Sequence, residues 1–126
     1  MNFPYSKDFT PPAPTLDIVL STMATDLTVG PVEALVDTGA DATVVPIDYL
    51  DHIRAPITME MWARGKWGGR RRVNLFLVDI HIGNSILPHV QVVGDEAGDE
   101  VILGRDVLNQ LELLLDGPAA VTRVSI

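Results

Sequence analysis

The sequence contains no cysteine, which removes disulfides, thiolate nucleophiles and cysteine-ligated zinc or iron–sulfur centres together. No apolar run approaches the roughly 20 residues that a bilayer-spanning helix needs. The opening stretch MNFPYSKDFTPPAPT has no apolar core of the signal-peptide kind. The chain therefore reads as soluble and cytoplasmic, with no membrane partner of its own, whether it stands alone or is a fragment of a longer protein. Positive charge is also scarce. A net charge of −8 argues against general nucleic-acid binding. The exception is local: Arg64, Lys66, Arg70, Arg71 and Arg72 hold five of the nine cationic residues. Such a patch suits either an acidic partner or a solvated hairpin tip.

At 126 residues the chain has the length of one ordinary domain. Residues 1–14 carry four prolines and no periodicity, and read as an extended arm ahead of a domain over 15–126. From Leu16 the pattern is that of strands. TLDIVLST sets Leu16, Ile18 and Leu20 on one face, and PVEALVD does the same with Val32, Ala34 and Val36. PIDYLDHI suits one helical turn begun by Pro46, and PITMEMW another strand. ARGKWGGRRR suits the tip of a long hairpin. VNLFLVDIHI alternates Phe76, Val78, Ile80 and Ile82 against Leu75, Leu77, Asp79 and His81, and Gly83-Asn84 turns it into ILPHVQVV. The short strand VIL ends at Gly104. RDVLNQLEL spaces Val107, Leu108 and Leu111 for about two helical turns, and the chain closes with a hairpin at Asp116-Gly117. The class is all-β with one short C-terminal helix.

One stretch carries chemistry. ALVDTGADATVVP, residues 34–46, drives an apolar strand into Asp37-Thr38-Gly39. The plain reading is a strand followed by an Asx-type turn. The pattern Asp, Ser or Thr, Gly, then Ala, Ser or Thr arises in roughly one chain in a hundred of this length by composition alone, so it does not decide the matter. Other chemistries fit less well. His52, His81 and His89 are scattered with no ligand spacing, so no metal site is expected. No Ser stands in a nucleophile elbow, and no Gly-rich phosphate loop joins a strand to a helix. Acid–base chemistry on carboxylates remains. Two carboxylates about 3 Å apart share one proton, so that one acts as acid and the other as base. With a single Asp-Thr-Gly in the chain, the second Asp must come from a second copy on a two-fold axis.

A second motif turns this into a resemblance. LVDTGADATVVP, together with VILGRDVL at residues 101–108, resembles the retropepsin family of single-domain aspartic proteases, over roughly residues 15–117. The resemblance implies a closed β-barrel of the acid-protease kind with a flap hairpin between the two motifs. It implies a homodimer acting on peptide or polyprotein substrates without cofactor or metal. Asp37 is then the catalytic carboxylate, Thr38 a donor across the dimer axis, and Gly39 the residue that permits the turn and a close approach. Ala40 and Asp41 fall among the substrate-binding positions with Trp67, Gly68 and Gly69 of the flap tip. Arg105 of Gly104-Arg105-Asp106 is the expected partner of Asp41 at a partly buried site, with Gly104 as structural support. Ala40 stands where a Ser or Thr would donate a hydrogen bond to the catalytic carboxylate, so a weakly acidic pH optimum is expected. Leu35, Val45, Ile57, Trp67 and Val101 are apolar candidates for lining or supporting the cleft. The alternative function is a catalytically silent retropepsin-like module for dimerisation or peptide binding. A third is a regulated protease whose active dimer is rare.

Overall fold

Alternation in the strands becomes a closed ring. The structure, a computed structural model, describes residues 1–64 and 68–126. Its strands are β1 (Asn2–Pro4), β2 (Thr15–Ser21), β3 (Thr28–Val36), β4 (Val44–Pro46), β5 (Ile57–Arg64), β6 (Arg70–Ile82), β7 (Ser85–Asp95), β8 (Val101–Leu103), β9 (Glu112–Asp116) and β10 (Val121–Ser125). The helices are α1 (Ile47–His52) and α2 (Arg105–Leu108). Strands β2, β3, β8, β4, β7 and β6 neighbour one another in that order, and β2 pairs again with β6. That last pairing, Val19 to Ser21 against His81 to Asp79, closes a six-stranded barrel and leaves it no free edge. Strand β5 hangs outside the ring, with β6 as its only neighbour among the described residues.

The inward positions are those the period-two pattern marks. Leu16, Ile18, Leu20, Ala34, Val78, Ile80, Ile82, Val92 and Leu103 are buried in one cluster, joined by Leu50 and Ile53 around α1. Truncating one of the buried Leu or Ile side chains to Ala costs about 2–5 kcal/mol. Val45, expected near the cleft, is fully buried in this core. Two connections are parallel, β3 with β8 and β4 with β7, so the two motif segments lie side by side in the barrel wall.

Both helices are short. Pro46 sits just ahead of α1 rather than as its first residue. Helix α2 makes one turn where two were expected, because the chain after Asn109 joins β9 and pairs with β10. Tertiary pairing wins over a weak local period. The N-terminal residues also dock. Strand β1 pairs with β10, which pairs with β9, in a separate three-stranded sheet. The Met1 ammonium donates to the Val124 carbonyl at 3.0 Å, and Ser6 and Ala13 exchange backbone hydrogen bonds. Among the described residues no helix is long and apolar enough to cross a membrane.

Candidate active site

Asp37 follows directly on β3, and its amide continues the ladder by donating to the Leu103 carbonyl of β8 at 3.1 Å. The loop turns at once. The Gly39 amide donates to Asp37 Oδ1 at 2.9 Å, and the Ala40 amide to the Asp37 carbonyl at 3.2 Å. This fixes one carboxylate oxygen and leaves Oδ2 without a partner among the described residues. Gly39 does not occupy the left-handed region. Its requirement is proximity: a Cβ there would stand 3.2 Å from Asp37 Oδ1, tighter than ordinary contact. Asp37 is half-buried, while Thr38 and Gly39 are exposed at the tip of the loop.

The β8–α2 segment holds this loop from the other side. Arg105 Nη1 donates to the Thr38 carbonyl at 2.8 Å, Nη2 pairs with the Asp41 carboxylate, and the Arg105 amide donates to the Ala40 carbonyl at 2.9 Å. The expected Arg105–Asp41 pair is therefore present. The expectation that it is partly buried is corrected for the single chain, because the Asp41 side chain is 90% exposed. Solvent reaches that carboxylate, so the pair positions the loop more than it stabilises the fold.

Three further residues complete the joint. A Cβ on Gly104 would fall 2.5 Å from the Ala42 backbone, so only glycine lets the two motif segments approach this closely. The Thr43 hydroxyl, wholly buried, donates to Asp106 Oδ1 at 2.8 Å and accepts from the Gly104 amide at 3.1 Å. The Thr43 amide donates to Asp106 Oδ2 at 3.2 Å. Sequence reasoning assigned no role to Thr43 or Asp106. Their only signal is their place inside the two motifs, 63 positions apart.

The flap candidates lie elsewhere. Strands β5 and β6 form the long hairpin, Arg64 opposite Arg70 at its end. Gly68 and Gly69 adopt φ of 75° and 85°, the left-handed conformation that favours glycine, with open space around them. Trp67, assigned to the flap tip, lies outside the described residues, as does Lys66. The basic cluster is partly engaged within the chain. Arg72 lies over the Trp62 ring at 5.6 Å and 3.6 Å from Glu60, and Arg71 lies 3.8 Å from Asp95. Of the apolar cleft candidates, Leu35 lines a groove on the outer face of β3, Val101 is buried in the core opposite Ala34, and Ile57 is exposed on β5. Among the described residues no group of three or more His, Cys, Asp or Glu side chains is placed to hold a metal ion.

A closed six-stranded barrel, an Asp-Thr-Gly loop braced by a Gly-Arg-Asp turn and a projecting hairpin define the single-lobed acid-protease class. The family model of the gag-polyprotein putative aspartyl protease matches residues 26–110, and the chain belongs to that retropepsin-like family. Solved structures show the same fold. A retropepsin-like aspartic protease from Rickettsia conorii superposes with a TM-score of 0.62 at 11% identity, over 100% of this chain and 92% of that one. The EIAV protease complexed with the inhibitor HBY-793 gives 0.54 at 21% identity, over 78% and 86%. The retroviral protease-like domain of Ddi1 from Leishmania major gives 0.53 at 17%, over 89% of each chain. No curated protein sequence matches significantly.

Proposed function

We propose that this chain is an aspartic endopeptidase that works as a homodimer, Asp37 of each copy supplying half of the catalytic dyad. The observation that carries the reading is the loop itself: one Asp-Thr-Gly, in a chain of aspartyl-protease family, with Asp37 anchored through Oδ1 only and Thr38 exposed beside it. A two-fold axis through this tip brings two such loops face to face. Each Thr38 is then free to donate across the axis, and the two carboxylates share one proton.

The chemistry follows from that sharing. The ionised Asp37 takes a proton from a water as its oxygen attacks the scissile carbonyl carbon, and the protonated Asp37 donates to the carbonyl oxygen. The resulting tetrahedral diol collapses: the nitrogen takes the dyad's proton as the C–N bond breaks, a diol hydroxyl returns a proton to the other Asp37 as the carboxyl group forms, and both products leave with the dyad again holding one proton. The β5–β6 hairpin, with Gly68 and Gly69 near its tip, closes over an extended substrate that pairs strand-like with the protein. Ala40 offers no hydroxyl to the carboxylate, which favours an optimum on the weakly acidic side.

The test is incubation of the protein with a diverse peptide pool from pH 3 to pH 7, beside Asp37→Asn, with products sequenced and dimer mass measured. Cleavage by the parent, reduced by roughly 100- to 10,000-fold or more in the variant, is the expected result. Equal cleavage by both, or none by a confirmed dimer, contradicts it.

A further inference from the structure

Beside the Asp-Thr-Gly loop lies a groove of about 490 Å³ whose charge is all of one sign. Its position follows from strand geometry. In β3, Ala34 points into the core, so Glu33, Leu35 and Asp37 fall on the opposite face. Glu33 and Leu35 line the groove, and Leu35 is about 7 Å along the strand from Asp37. The groove thus opens on the face of the strand that presents the catalytic carboxylate.

Its floor and rim differ in kind. Leu35 and Phe9 supply apolar surface, and Asp8, Glu33, Asp99 and Glu100 supply four exposed carboxylates. None of the four forms an ion pair with a cation among the described residues. The basic cluster is the opposite case, since Arg71 and Arg72 already face Asp95 and Glu60. A second feature is independent of the acidic residues. Thr15, opposite Leu35 in the β2–β3 ladder, is 3% exposed and lines the groove. Its hydroxyl makes no side-chain hydrogen bond among the described residues and, unlike the buried Thr122 hydroxyl, is not cut off from solvent, so it stays open to whatever fills the groove.

We propose that this groove selects a lysine or arginine side chain of the substrate close to the scissile bond. The inference rests on the aspartic endopeptidase reading and names its specificity. A long cationic side chain satisfies both parts of the groove: its methylene stem lies on Leu35 and Phe9, and its head reaches the carboxylate rim. The floor is unsuited to a bare metal ion, and no metal-holding cluster is present among the described residues. An acidic substrate side chain meets four like charges and is rejected.

The experiment has two readouts. Peptide-pool cleavage gives residue preferences on each side of the cut, for the parent, for the double variant Asp99→Asn with Glu100→Gln, and for Glu100→Lys. Separately, two fluorescein-labelled peptides of one apolar sequence, carrying Arg or Leu at a central position, are titrated against the Asp37→Asn protein by anisotropy. The parent is expected to favour Lys or Arg over Leu at one position by on the order of 10-fold at low salt. That preference shrinks as salt rises, falls severalfold in the double variant, and weakens or inverts towards Glu in Glu100→Lys. Cleavage without such a preference, or a preference that survives neutralisation of the rim, overturns the proposal. Absence of all cleavage counts against the peptidase reading, and the binding readout then decides the groove. Tighter binding of the Arg peptide by the same factor upholds it; equal or absent binding overturns it.

Discussion

The Asp37–Thr43 loop and the β5–β6 hairpin, the two regions on which the proposed function rests, are held in opposite ways. The loop lies in the barrel wall, with Gly104, Arg105 and Asp106 bonded to it from the neighbouring segment. The outer strand of the hairpin has one neighbour, and Ile57, Met59, Met61 and Trp62 stand 59%, 51%, 44% and 58% exposed along it. The contrast separates precision from adaptability. A carboxylate proposed to meet its twin sits on a segment tied to its neighbour by backbone and side-chain hydrogen bonds. The element proposed to open and close has an outer strand with apolar side chains left exposed to solvent.

Substitutions on the two sides should therefore behave differently, and Gly104→Ala should have the largest effect on stability. Its new methyl meets Ala42 backbone rather than a yielding side chain. We expect a loss of about 2–3 kcal/mol, read as a fall in Tm of roughly 10 °C with activity lost as well. Thr43→Val keeps shape but leaves the Gly104 amide without its acceptor; a loss of about 1–2 kcal/mol in urea unfolding is expected. Arg105→Lys keeps the charge but cannot serve the Thr38 carbonyl and Asp41 together. Because the pair is exposed, stability should fall by less than about 1 kcal/mol, while kcat falls severalfold as the loop loosens. Met61→Gln on the hairpin is the smallest. It should leave Tm within a degree or two, a change of about 0.5 kcal/mol at most, and act on KM alone. A Tm loss from Met61→Gln as large as that from Thr43→Val would erase the distinction between the two regions.

Much of this was legible in the sequence because it repeats or turns locally. Leu16, Ile18 and Leu20 declare a half-buried strand by period alone, and Gly83-Asn84 declares its hairpin. Asp37 and Arg105 stand out through their motifs. What was not legible depends on partners far along the chain. Nothing local says that Val19 meets His81 to close the barrel, that β1 docks on β10, or that the Thr43 hydroxyl serves both Asp106 and Gly104. The second helical turn expected after Arg105 failed for the same reason, since pairing of β9 with β10 took those residues. Exposure of the Asp41–Arg105 pair was invisible too, because residue type fixes who pairs but not how much water reaches the pair.

The central claim is that each active site needs Asp37 from two copies. Mixing parent and Asp37→Asn protein at constant total concentration, with exchange of subunits allowed to finish, tests it directly. If two intact carboxylates are required, activity follows the square of the parent fraction, and an equal mixture retains about one quarter of the parent's rate. Retention of about one half, with a straight-line dependence on parent fraction, would show that each chain catalyses alone and would contradict the account.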